Sequence, residues 1–263
     1  MPGKKLNISL EARDLTIGYQ SNRIKTVIGE RLNFQLFPGT LTALVGANGV
    51  GKSTLIRTLT TMQKPLSGTV SIMNQYIQTL SPLNLARLVS IVLTETPASK
   101  NLSVLELVSL GRQPYTNWNG TLSEKDKQAV SFAFKITEIE SLASKKCYEL
   151  SDGQMQRVTI ARALAQDTPV IILDEPTTHL DIYHRAYILK LLQKLANEYD
   201  KTILFSTHEI DLAIQLSDSI LLMTENEYFF DSPETLIQQG HFNKLFPADT
   251  ILFDKDSRRF FIK

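Results

Sequence analysis

Gly46-Ala47-Asn48-Gly49-Val50-Gly51-Lys52-Ser53 is the stretch on which the reading of this chain turns. It has the form Gly, four residues, Gly, Lys, Ser. Leu41 to Val45 ahead of it is a short apolar run suited to a buried strand, and residues from about Lys52 to Thr61 read as a helix. Glycines let backbone N–H groups turn inward around an anion. A helix starting at Lys52 aims its positive end at the same point. Lys52 can reach terminal phosphates, and the Ser53 hydroxyl can ligate Mg²⁺. Gly46, Asn48, Gly49, Gly51 and Thr54 complete the expected cradle. A flexible glycine loop would explain the composition but not the strand before it and the helix after it.

Working outward, Val170-Ile171-Ile172-Leu173 is a buried-strand pattern that ends in Asp174 and Glu175. Beside a phosphate cradle, Asp174 suits a Mg²⁺ ligand. Glu175 suits a base that polarises water. His208 ends the next strand, Thr202 to Thr207, and neighbouring strand ends would place it beside the same phosphates, although a lone His at a strand end is more often structural. Helices over about Ile182–Tyr199 and Glu209–Leu216 and a strand over 219–223 continue an alternation that predicts a mainly parallel sheet. Residues 6–45 read as strands, with Leu32 to Leu36 alternating well and Pro38-Gly39 marking a turn. From about Pro82 to Ala165 the pattern is mostly helical: Val104 to Val108, Ser123 to Ile136 behind a Ser123 N-cap, and Met155 to Ala165. Pro114 to Gly120 reads as a loop. The expected fold is α/β: a P-loop core with a mainly parallel sheet, an N-terminal antiparallel β subdomain and an inserted α-helical subdomain, as one domain over 1–263.

Composition narrows the function classes. Of the 263 residues, 43% are hydrophobic and 21% charged, which suits a sizeable core. Lys and Arg total 28 against 27 Asp and Glu, so no basic footprint for nucleic acid is present. The basic N-terminus Met1 to Lys5 lacks a following apolar region, so it does not read as a signal peptide, and no apolar run approaches the ~18 residues of a spanning helix. The single Cys147 cannot form an internal disulfide. Lys145 and Lys146 could lower its pKa, but a small side chain without special role is the simpler reading.

Leu150-Ser151-Asp152-Gly153-Gln154 separates the families that share such a core. Ser151 and Gln154 form a Ser-x-x-Gln capping box, and a capped helix start is itself an anion site. The pentapeptide stands with Gln154 twenty residues before Asp174 and resembles the Leu-Ser-Gly-Gly-Gln signature of ABC ATPases. Tyr19 resembles the aromatic that stacks on adenine, Thr178-His179-Leu180-Asp181 the D-loop, and His208 the switch histidine. The resemblance covers roughly residues 6 to 245. It implies ATP and Mg²⁺ as cofactors, with Glu175 and His208 catalytic and Ser151, Gly153 and Gln154 at the nucleotide of a second copy. It also implies a head-to-tail homodimer on the cytoplasmic face of the inner membrane, integral permease subunits and a solute-binding protein, and no nucleic acid. In this mechanism closure drives the membrane subunits and hydrolysis resets them.

Val104 to Val108 followed by Leu110-Gly111-Arg112-Gln113-Pro114-Tyr115 resembles the ATPases of ferric siderophore, haem and cobalamin importers. An ordinary helix ended by Gly111 with a Pro114 turn accounts for the same residues. Two positions depart from the family pattern. Asp152 replaces the first signature glycine and would repel a γ-phosphate. The glutamine expected after Val89 to Val92 is missing, and Leu93-Thr94-Glu95 stands there, with Glu95 a candidate Mg²⁺ or water ligand. Alternatives are a non-transport ABC factor of DNA repair or translation, or an ABC ATPase for another cargo. Long coiled coils and a second cassette, usual in the non-transport forms, are not in the sequence. A GTPase is disfavoured because Asn243-Lys244-Leu245-Phe246 lacks the guanine-reading Asp, and a small-molecule kinase would not explain the signature helix.

Overall fold

Strands whose every residue is apolar or small belong in a sheet covered on both faces, and the computed structural model places them there. It describes residues 7–21, 24–93, 100–247 and 249–263. The elements in chain order are β1 Leu10–Ser21, β2 Ile24–Leu36, β3 Leu41–Gly46, α1 Lys52–Leu59, β4 Ser67–Ile72, β5 Gln75–Tyr76, α2 Pro82–Ala86, β6 Val89–Val92, α3 Val104–Ser109, α4 Glu124–Ile136, α5 Asp152–Ala165, β7 Val170–Leu173, α6 Ile182–Tyr199, β8 Thr202–Thr207, α7 Ile210–Leu216, β9 Ser219–Met223, β10 Tyr228–Asp231, α8 Pro233–Gln238, β11 Ile251–Asp254 and β12 Arg259–Ile262.

The central sheet has the order β10-β9-β3-β8-β7-β6. Its strands run parallel from β9 through β6, and β10 joins β9 antiparallel. A second, antiparallel sheet has the order β2-β1-β4-β5. The two-residue period of the central strands divides their side chains between two cores. Leu44, Ile172, Leu204 and Leu221 face a core shared with α1 and the antiparallel sheet. Ala43, Val45, Ile171, Leu173, Ile203, Phe205 and Leu222 face the core built with α3 to α7. The helix α1 is thus held between the two sheets through Leu55, Ile56 and Leu59.

Local sequence chemistry sets the element bounds. Ser103 with Glu106 and Ser123 with Asp126 form capping boxes that start α3 and α4. The Ser151 box starts α5 at Asp152, a turn earlier than the apolar pattern from Met155 suggests, because the cap and not the first apolar residue fixes a helix start. At its other end α1 stops at Leu59 instead of Thr61, where Thr61 takes a left-handed φ of 60°. Pro114 and Tyr115 close a 3₁₀ helix over Leu110–Tyr115 and are not the start of a loop. The strand pair β11–β12 and the helix α8 have no counterpart in the sequence reading, since short edge strands carry little periodic signal.

Arg112 is buried inside the helical insertion. It is 2% exposed, pairs with Asp126 at 2.8 Å, donates to the Ala165 carbonyl at 2.8 Å, and lies 4.1 Å from the centre of the Tyr115 ring. One buried guanidinium therefore fastens the 3₁₀ turn to the start of α4 and the end of α5. Cys147 is buried too. Burial pushes its thiol up, with Glu106 adding to the shift, so Lys146 does not prevail as the sequence allowed.

Candidate nucleotide site

The parallel register aligns the carboxyl ends of three strands: Val45 lies opposite Thr207, and Leu173 opposite Phe205. The Gly46–Ser53 loop, the Asp174-Glu175 pair and His208 follow directly on those ends, the position where parallel sheets bind ligands. Gly51 has φ of 112°, and a Cβ there would come within 2.2 Å of the Ile28 Cγ2 atom, so only glycine fits. Gly49 is also left-handed, at φ 79°. Among the described residues no side chain caps the start of α1. Its first N–H groups thus remain directed at the loop, as an anion would need.

Lys52 is 5% exposed and donates from Nζ to the Gly46 and Ala47 carbonyls at 2.8 and 3.1 Å. Burial pushes its ammonium below the usual lysine range, while the charges of Glu175 and Asp174 pull it back. The lysine is thus desolvated and shares its field with both carboxylates. Such an arrangement gives a fixed cation high electrostatic worth toward phosphate. Tyr19 donates to, or accepts from, Thr54 Oγ1 at 2.8 Å, and its ring is 48% exposed beside the cradle. Asn48 is exposed at the loop tip and Ser53 half-buried at the start of α1.

Glu175 is the most constrained group of the site. Its backbone is left-handed at φ 48°, a conformation that a non-glycine residue holds only when its surroundings enforce it. The enforcement is visible. Glu175 N–H donates to Ser206 Oγ at 2.8 Å, Thr178 Oγ1 donates to Oε2 at 3.0 Å, and Oε1 lies 2.6 Å from His208 Nε2. The same Ser206 hydroxyl donates to Asp174 Oδ1 at 2.6 Å. Ser206 therefore orients both acids from the adjacent strand, and the sequence reading does not name it. Its signal was a hydroxyl directly after the apolar run Ile203 to Phe205 in a strand buried throughout, where a polar group is kept only with partners.

Oxygen donors at Ser53 and Asp174 fit a Mg²⁺ ion, which takes one or two protein oxygens and completes its shell with phosphates and water. Glu95 and Thr94 lie within 94–99, outside the described residues. Ser151, Gly153 and Gln154 stand elsewhere. Ser151 Oγ accepts the Gln154 N–H at 3.3 Å, and Ser151 N–H donates to Gln154 Oε1 at 3.2 Å. Their helix α5 packs on α3, α4 and β6, whereas α1 packs on β1 and β3. Asp152 is exposed in the first turn of α5, where a carboxylate complements the helix dipole.

Comparison with known proteins gives the same picture. The model of the ABC transporter family matches residues 30–178. A petrobactin import ATP-binding protein of Bacillus anthracis is 38% identical over 88% of this chain and 84% of its own. The iron(3+)-hydroxamate import ATP-binding protein of Bacillus subtilis is 37% identical over 88% of this chain and 82% of its own. In structure, the chain matches an inward-facing transporter assigned to the metal-chelate ABC type with a TM-score of 0.79, 27% identity and coverage of 97% and 96%. It also matches a dimeric ATP-binding cassette in a post-hydrolysis state with ADP and Pi, with a TM-score of 0.73, 28% identity and coverage of 85% and 98%. The chain belongs to the ABC transporter family, as an ATP-hydrolysing ATP-binding protein.

Proposed function

We propose that this chain powers the import of a metal chelate, with a ferric siderophore first and haem or cobalamin within the same class. The observation that carries the cargo class is the agreement of two kinds of relative: chains named for petrobactin and iron(3+)-hydroxamate import, and a whole-length structural match assigned to the metal-chelate type. In this reading the chain works as a homodimer on the cytoplasmic face of the membrane. It is bound to separate permease subunits and supplied by a solute-binding protein. No helix among the described residues is long and apolar enough to cross a membrane, which suits a subunit that acts through a permease.

The residues divide the work as follows. Tyr19 stacks on adenine. Gly46, Asn48, Gly49, Gly51, Lys52 and Thr54 enclose the phosphates through backbone N–H groups and the buried ammonium. Ser53 and Asp174, with Glu95 as a further candidate, hold Mg²⁺, which when bound neutralises phosphate charge. Glu175 orients and deprotonates the attacking water. His208, 2.6 Å from Glu175 Oε1, keeps that carboxylate turned toward the site. Ser151, Gly153 and Gln154 close on the nucleotide held by the second copy.

Deleting the gene in its host should abolish uptake of a ferric siderophore, haem or cobalamin, and the parent gene should restore it while a Lys52→Ala copy should not. Normal uptake of every member of this class, together with lost uptake of a sugar or an amino acid, would refute the cargo assignment and leave the ATPase intact.

A further inference from the structure

His184, in the first turn of α6, touches both the D-loop-like and the signature segments and has no part in the roles above. Asp181 is the N-cap of α6, and its carboxylate accepts the His184 backbone N–H at 2.8 Å. The same carboxylate holds the His184 ring, whose Nδ1 lies 2.9 Å from both Oδ1 and Oδ2. The other edge of that ring lies against Gly153. A Cβ built on Gly153 would come 2.7 Å from Cδ2 and 3.2 Å from Nε2 of His184. Gly153 lies inside α5 and is absent from the left-handed positions of the chain. Its backbone conformation therefore does not call for glycine; the space taken by the imidazole does. Tyr183 adds an edge-on ring contact at 5.4 Å, which restricts the imidazole further.

We infer that His184 is a positioning residue: a wedge that ties the first turn of the signature helix α5 to Asp181, so that residues 151–154 and 178–181 move as one body. The inference rests on the proposed reading of Ser151, Gly153 and Gln154 as nucleotide-contacting and of 178–181 as D-loop-like. His184 touches neither Lys52 nor Glu175 by any hydrogen bond or ion pair seen among the described residues. The phosphate cradle stands on α1, in the other core. Loosening the wedge should therefore slow turnover and leave the cradle's hold on ATP unchanged. That split separates positioning from general structural support.

The test is steady-state ATP hydrolysis by the purified full chain with Mg²⁺, using His184→Ala, His184→Asn, Gly153→Ala and the double variant, with thermal melts of each. His184→Ala should lower kcat about 2- to 10-fold, the size of one lost hydrogen bond, with KM for ATP unchanged. His184→Asn keeps a donor for Asp181 and should recover part of that loss. Gly153→Ala should cost less in the His184→Ala background than in the parent, because the added methyl no longer meets a ring. Parental kcat in His184→Ala, or strictly additive effects around the cycle, would overturn the inference. Should His184→Ala not fold, parental turnover in His184→Asn would overturn it equally. If Glu175→Gln stops hydrolysis while all His184 variants match the parent, the wedge fails and the proposed role of Glu175 stands. If Glu175→Gln hydrolyses like the parent while the His184 variants slow, the role of Glu175 fails and the wedge stands.

Discussion

Lys52 shows the charge environment that the proposed phosphate cradle would offer a ligand. A buried ammonium bonded, among the described residues, only to two backbone carbonyls, with two carboxylates in its field, is a cation kept in place at a cost in solvation. A phosphate that replaces those carbonyls restores full charge pairing. Lys52→Ala should weaken ATP binding about 10- to 100-fold, from the ~1.5–3 kcal/mol of a charged hydrogen bond. Titration with a fluorescent nucleotide checks this, and parental affinity would refute the placement of the phosphates. The conformation of this loop was legible in the sequence because its residues are contiguous and each type has a local reason to be there. Ser206 and His184 were not. Their partners, Asp174 and Glu175 for the first and Gly153 for the second, are brought near only by strand order and helix packing.

At the scale of elements, the segment Gly111-Arg112-Gln113-Pro114-Tyr115 gains a physical explanation beyond ancestry. The sequence could show a helix end and a proline turn. It could not show that Arg112 would be enclosed by a 3₁₀ turn, the capping box of α4 and the last turn of α5. Asp126 serves twice, as the N3 residue of that box and as the partner of Arg112. Removing one member of a buried pair strands the other, so Arg112→Ala should destabilise the chain by about 3–5 kcal/mol. Thermal or urea unfolding measures it, and a loss below about 1 kcal/mol would show the pair to be idle. The hydrogen bond from Ser123, opposed by burial and aided by Arg112, holds the Asp126 carboxyl below its ordinary range. A depressed carboxyl stabilises the fold above its ordinary pKa and loses that effect as pH falls through the lowered value. The parent should therefore lose this contribution only in strong acid, and the difference in stability between parent and Asp126→Asn should shrink there.

Across the whole molecule, the parallel sheet, the antiparallel N-terminal sheet and the helical insertion were legible in the period of the apolar residues, since continuous buried runs and alternating runs differ in print. The division of each central strand between two cores was not, because it depends on which layers cover the sheet. The loop of residues 46–53 rests on one core and the helix α5 on the other. Under the proposed function these are the two halves of a site that two copies complete. Such an assembly should form when ATP is bound and dissolve when it is hydrolysed. Glu175→Gln preserves the shape of the side chain and removes its basicity. The most direct measurement is therefore hydrolysis and molecular mass of purified Glu175→Gln with and without MgATP. The account predicts at least about a hundredfold loss of hydrolysis, in the range of general-base catalysis, together with a dimer that appears only with MgATP. Hydrolysis at the parental rate, with a mass unchanged by nucleotide, would contradict it.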